Sequence, residues 1–313
     1  MPFAPSPLSR RAFLGTTAAI GTGLLARPAL AAPPPPKLRT VEDGYITIAM
    51  SGTMPVTGLH DGKLEGSDAL MVQAIAEKLG LQAKPAIMAW SATIQAIRSG
   101  RADIMCGDMG WTKARADAML LTDAIYYGVN FITMRADHPS GSVIDPNELK
   151  GAVVGSITGT NYVVDAKKIP GIKDVMLYDN TDSCVRDLVA GRTDYAILDS
   201  MTVDYLILQQ PGLALKQVPI KPNDQYPNLS GKGLAIMGMN QDNPDLFDAV
   251  NAGIKWLWAT KKNAELLALN GMTSPDYVTL PPSNKRLGTD RDEADDLIGP
   301  GAHPRKDFSA YFT

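Results

Sequence analysis

The residues best placed for chemistry are one arginine and two aspartates, each at the end of a regular element. Thr112-Lys113-Ala114-Arg115 begins a helix just past an apolar strand. There the Arg115 guanidinium could grip a carboxylate through its two-pronged fork, or could simply face water as most surface arginines do. Asp108 closes the segment Gly100-Arg101-Ala102-Asp103-Ile104-Met105-Cys106-Gly107-Asp108. Asp199 closes a similar one, Gly191-Arg192-Thr193-Asp194-Tyr195-Ala196-Ile197-Leu198-Asp199. In each, a helix ends at Gly, an Arg-x-Asp turn follows, and an apolar strand delivers an Asp at its C-terminal end. Ligands of open α/β sheets bind beyond the carboxyl ends of the strands, so both aspartates are expected to point toward a shared cleft. Asp199 could pair there with an ammonium or merely cap the next helix. Thr158-Gly159-Thr160-Asn161 joins a strand to a helix; free N–H groups and the Thr160 hydroxyl would suit an anion, and a plain capping turn is the simpler alternative. Trp90 precedes a helix at the same edge, as a wall or as core.

Catalytic signatures are nearly absent. His60, His138 and His303 are the only histidines, and none has metal-ligand spacing. Gly58 to Lys63 lacks the length and the Ser/Thr of a phosphate loop, and the glycines at 151, 155 and 159 do not form a dinucleotide fingerprint. No nucleophile elbow is found. Neither a cofactor nor a metal is expected. Cys106 and Cys184 are too few for a disulfide framework or a Cys-rich zinc site, and are expected to be buried free thiols. The fourteen methionines sit largely in apolar runs and read as core filling.

Those groups need a scaffold of adequate size, and 313 residues with 45% hydrophobic and 20% charged positions supply a two-domain core. With 30 basic and 33 acidic residues the net charge is -3, which excludes a generally basic nucleic-acid binder. No apolar run is long enough to span a membrane.

Tyr45 to Met50 alternates as a strand does, and His60 to Lys63 is a turn. From Ser67, taken as N-cap, an apolar stripe runs to Leu79 and stops at Gly80. A helix over Ser91 to Ser99 and a strand over Asp103 to Gly107 follow. The second lobe is expected from about Asn130, with strands at 152–156 and 174–178 and helices at 162–168, 182–190 and 202–210. A strand at 233–237 precedes a long helix opened by Asn243-Pro244 and running to Lys261. The alternation predicts an α/β fold with mostly parallel sheets. The polar tail from Pro281 is expected to wrap the surface or stay loose.

The chain opens with an address. Ser9-Arg10-Arg11-Ala12-Phe13-Leu14 matches the twin-arginine export pattern, an apolar stretch follows, and Ala29-Leu30-Ala31 suits signal-peptidase cleavage after Ala31. A proline-rich leader covers 32–40, lobe 1 is placed at 41–129 plus 232–280, lobe 2 at 130–231 and a tail at 281–313.

The series Gly62-Lys63-Leu64-Glu65-Gly66-Ser67-Asp68, Trp90 with Ile94 and Ile97, Gly100-Arg101-Ala102-Asp103, Thr112-x-x-Arg115, Thr122-Asp123-Ala124-Ile125-Tyr126-Tyr127, Leu149-Lys150-Gly151, Gly159-Thr160 and Leu198-Asp199-Ser200 resembles the periplasmic solute-binding proteins of polar amino-acid ABC transporters, the bacterial family 3 binding proteins. The resemblance covers about Tyr45 to Asn270. It implies a two-lobed Venus flytrap with two hinge crossings, not an enzyme, that delivers an amino acid or amine-bearing solute to an inner-membrane ABC permease from the periplasm, as a monomer. By position, Arg115 matches the family's carboxylate-gripping arginine, Gly159 and Thr160 the second-lobe segment beside it, Asp199 the partner of the α-ammonium and Trp90 the aromatic wall. Gly110 stands where the family often has a hydroxyl residue. Asp108 adds a negative charge that favours a cationic ligand group, and Met54 occupies a loop that commonly carries an aromatic. A cyclohexadienyl-dehydratase-like enzyme and a sensor's ligand-binding module are the alternatives on the same scaffold.

Overall fold

The computed structural model describes residues 34–210, 212–230, 232–281 and 283–313. The twin-arginine pattern and the cleavage site lie outside the described residues. The first half comprises β1 (Tyr45–Met50), the hairpin β2 (Gly58–His60) and β3 (Lys63–Glu65), α1 (Ser67–Lys78), β4 (Gln82–Ile87), α2 (Trp90–Arg98), β5 (Ile104–Gly110), the short α3 (Lys113–Ala116) and β6 (Leu120–Leu121). The long β7 (Tyr126–Arg135) leads into β8 (Val153–Ile157), α4 (Tyr162–Ala166), β9 (Asp174–Tyr178), α5 (Thr181–Val189), β10 (Tyr195–Asp199), α6 (Ser200–Gln209) and β11 (Leu215–Pro219). The chain then returns through β12 (Lys232–Met239) to α7 (Pro244–Ala259) and α8 (Lys262–Leu269).

The strands lie in the order β4-β1-β5-β12-β7-β10-β8-β9, with β6 on β12 and β11 on β7. In the first half β1 runs parallel to β4 and β5, and β12 closes the group antiparallel to β5. The second half repeats this: β8 is parallel to β9 and β10, and β7 is antiparallel to β10. β7 serves both. Its Tyr126–Val129 portion pairs with β12, and its Asn130–Thr133 portion pairs with β10.

Burial explains why these segments are strands. All of β1 after Tyr45 is buried, as expected for a central parallel strand covered on both faces. β4 and β11 escaped the sequence reading because each is a proline-bearing strand paired on one side; an edge tolerates Pro85 and Pro219 where a central ladder would not. Ser67 is not the cap of α1. Gly66 holds that position at φ +88, where an added Cβ would stand 2.5 Å from the Thr57 backbone nitrogen. Ser67 instead starts the helix and donates its hydroxyl to Asp68. Along α7, Leu246, Phe247, Val250, Ile254 and Leu257 are buried on the core of the first half. A separate core in the second half gathers Ile132, Val154, Ile197 and Tyr226.

The sequence echo has a structural counterpart. Gly100 and Gly191 both turn at positive φ, which glycine adopts without a Cβ penalty. Asp103 then accepts the backbone N–H of Thr47, and Asp194 accepts that of Val153, each at 2.8 Å. Each Arg-x-Asp turn therefore stitches the strand that will carry a cleft aspartate to the first strand of its own half.

The tail is neither loose nor merely draped. Arg286 and Arg291 are buried against the first half, and Phe312 joins its core beside Trp256. Hydrophobic and buried ionic anchors, spaced among polar residues, hold it. Cys106 and Cys184 are buried and free. No helix among the described residues is long and apolar enough to cross a membrane.

Candidate functional site

A cavity of about 360 Å³ lies between the two halves, where β5 and β10 end. Asp108, Gly110, Trp90 and Arg115 line it from the first half, and Thr160 and Asp199 from the second. The α/β rule thus brings the two echo aspartates to one space.

Arg115 comes from α3, whose N-cap Thr112 accepts the Arg115 backbone N–H at 3.2 Å. Its side chain lies over the Trp90 ring at 5.8 Å and is only 9% exposed. One terminal nitrogen donates to the Gly110 carbonyl, and the other crosses to the second half and donates to the Gly159 carbonyl at 2.9 Å. The Trp90 indole N–H donates to the same Gly159 oxygen at 3.4 Å. Burial lowers the Arg115 pKa to about 10, an effect opposed by the Asp199 charge, so the guanidinium stays charged at neutral pH.

Asp199 ends β10 and precedes α6, but its carboxylate makes no cap to that helix. It instead accepts the Tyr162 hydroxyl. Burial, then repulsion from Asp108, push its pKa well above the carboxylate range, while Arg115 pulls the other way.

Asp108 is held by its backbone. Gly107 at φ +125 and Asp108 at φ +50 break the extended path of β5 and turn both N–H groups onto Asp68 Oδ2, at 3.1 and 2.8 Å. Asp68, fully buried at the start of α1, also takes the Ser67 hydroxyl at 3.0 Å and the Tyr126 hydroxyl at 3.4 Å. Burial outweighs these donors and raises Asp68 to about 6. Asp108 rises to about 7, from burial first and the Asp68 charge second. Two carboxyl groups under one cleft are therefore partly protonated near neutrality, because burial disfavours their charged forms and each charge opposes the other.

Several expected residues sit differently from the sequence reading. The Thr160 N–H and hydroxyl are not free for an anion: both donate to the Ile157 carbonyl, at 3.2 and 2.9 Å. Gly159 contributes through its carbonyl, which accepts Arg115 and Trp90, rather than through a donor. Met54 does not face this cavity. Its sulfur packs over Gly58, and the residue borders a separate depression with Leu64, Leu70 and Tyr205. Gly110 closely faces the other half: a Cβ there would stand 2.6 Å from the Asn161 side-chain amide nitrogen, which would have to turn aside. Asp68, Tyr126 and Tyr162 were not singled out as site residues from the sequence, since they belong to α1, β7 and α4 and only the fold unites them. Asp179 also borders the cavity and adds a third carboxylate to its lining. Among the described residues, no group of three or more His, Cys, Asp or Glu side chains could hold a metal ion.

Residues 46–269 match the bacterial extracellular solute-binding proteins, family 3. The chain belongs to this family. Among its relatives, the probable ABC transporter extracellular-binding protein YckB of Bacillus subtilis is 29% identical over 192 residues, covering 59% of this chain. This chain spans 65% of that relative's length, just under two thirds. The L-arginine-binding protein of Pseudomonas aeruginosa is 25% identical over 230 residues, covering 72% of this chain and 86% of its own. Among solved structures, an ancestral arginine-binding protein bound to glutamine superposes with a TM-score of 0.65 at 22% identity, over 74% of this chain and 99% of that one. The fold is that of family 3 binding proteins: two α/β halves flanking a cleft, joined by the long shared strand β7.

Proposed function

We propose that this family 3 protein is exported by the twin-arginine route to the periplasm and captures an amino acid or related amine-bearing solute, handing it to an inner-membrane ABC permease. The observation that carries this reading is that Arg115 and Asp199, from opposite halves, line one cavity of a size suited to one small molecule. Arg115 would take a ligand carboxylate, exchanging its carbonyl partners for a charge-assisted pair. Asp199 would take the ammonium and Trp90 would wall the chain. Asp108 and Asp179 tilt the lining toward negative charge, which favours a ligand with a second positive group and disfavours an acidic side chain.

Closure follows from differential affinity, since a ligand held by both halves stabilises only the shut arrangement. As a monomer with a modest negative charge, the protein needs no nucleic-acid partner. A thermal-shift screen with L-arginine, L-lysine, L-ornithine, L-glutamine, L-glutamate and putrescine tests the reading. A cationic ligand at a hundredfold over its Kd should stabilise the fold by about 2.7 kcal/mol, and L-glutamate should not. A shift only with L-glutamate, or with none of the six, rejects it.

A further inference from the structure

We propose that the C-terminal segment 283–313 is a positioning element of the cleft, acting on the Arg115 segment through the indole–carboxylate contact of Trp111 with Asp290. The proposal rests on the reading of Arg115 as a ligand contact, and adds a control that the family match, which ends at residue 269, does not contain.

The contacts form a connected chain. Trp111 follows Gly110, which accepts Arg115, and precedes Thr112, which caps α3. Its indole N–H donates to Asp290 Oδ2 at 3.1 Å. That oxygen also accepts Arg286 Nη2 at 2.7 Å, in an ion pair whose side chains are 6% and 8% exposed. The same guanidinium donates to the carbonyls of Leu121, at 2.9 Å, and Thr122. Arg291 adds Asp123 at 2.9 Å and Leu121 at 3.3 Å. Residues 121–123 lead directly into β7, the strand shared by both halves. One buried cluster therefore ties the segment carrying Arg115 to the start of the crossing strand. With three buried charged side chains committed to these two places, the tail holds the Gly110–Arg115 path in register with the hinge.

Hydrogen exchange followed by mass spectrometry tests this on the full mature chain without any ligand. Trp111→Phe removes the indole N–H and keeps a ring; Asp290→Ala removes the acceptor. Each should accelerate exchange in peptides covering 110–119 about tenfold, with β8 and β10 peptides unchanged. The double variant should be no faster than Asp290→Ala alone, because Asp290→Ala already removes the Trp111 contact along with the Arg286 pair. Asp290→Asn, which keeps a carbonyl acceptor, should restore part of the protection. Acceleration confined to the tail, spread evenly over the molecule, or additive in the double variant overturns the proposal. A titration with L-arginine adds a second readout: wherever the wild type binds it, Trp111→Phe should weaken binding severalfold while Tm falls by only about 2–4 °C. Absence of L-arginine binding by the wild type would count against the functional reading and leave the exchange result to decide the positioning role.

Discussion

At the scale of single residues, the cleft sets one buried guanidinium against several carboxyl groups, and its behaviour with pH follows from which of them burial has shifted. Asp68 and Asp108 lie at about 6 and about 7, against an ordinary value of 3.8 in the unfolded chain. Between those limits the folded protein holds more protons than the unfolded one. Their contribution to stability is therefore complete below the unfolded value and is lost as pH rises through the folded values. The ligand-free protein should show a Tm that rises as pH falls from about 7.5 toward about 5, and Asp108→Asn should flatten that rise. A melting series in matched buffers checks it, and an unchanged slope in the variant would remove Asp108 from the account. An ammonium in the cleft favours the ionised carboxylates, so binding should release protons and weaken as pH drops below about 7. Calorimetric titrations in buffers of different ionisation enthalpy read that release directly.

At the scale of elements, the recurring unit is a strand fastened at its start by an Arg-x-Asp turn and ending in an aspartate at the cleft. Asp103→Ala and Asp194→Ala should each cost about 1–3 kcal/mol by stranding a backbone N–H, with the larger loss at Asp103, which is buried and takes a second N–H from Val41. Urea unfolding of both variants measures this. Gly110→Ala obliges the Asn161 side-chain amide to turn away from the seam between the halves, so ligand binding should weaken, seen as a larger Kd in calorimetric titration.

This unit was legible in the sequence because both of its copies write the same pattern of Gly, Arg, Asp, apolar run and Asp. Asp199 could be placed at the cleft for the same reason, and Arg115 because it follows the end of β5; the ligand roles proposed for both came from the family resemblance. What stayed hidden depends on partners remote in the chain. The Asp68–Tyr126 contact unites α1 with β7, and the choice between an anion site and a plain turn at Thr160 depends on its bonds back to Ile157. β4 and β11 hid because edge strands need no strong β pattern. The tail was expected to wrap the surface or stay loose because its anchors, Arg286, Arg291 and Asp290, are charged residues that ordinarily signal solvent, and only the pairing of Arg286 with Asp290 and of Arg291 with Asp123 makes burial tolerable.

At the scale of the molecule, two halves share strand β7, and the cavity lies where they meet. Arg115 already reaches across to Gly159, so the halves carry one contact of their own that a ligand would strengthen or replace. The most direct test is a calorimetric titration of the mature protein with L-arginine, L-lysine, L-ornithine and putrescine, repeated with Arg115→Ala and Asp199→Asn. At least one of these cations should bind with a Kd in the micromolar range or tighter, about -8 kcal/mol or stronger. For a ligand carrying both a carboxylate and an ammonium, each substitution should weaken it by about a hundredfold or more, as expected when a buried charge loses its partner. Equal affinity in wild type and both variants, or no heat with any of the four, would contradict a clamp built on these two residues.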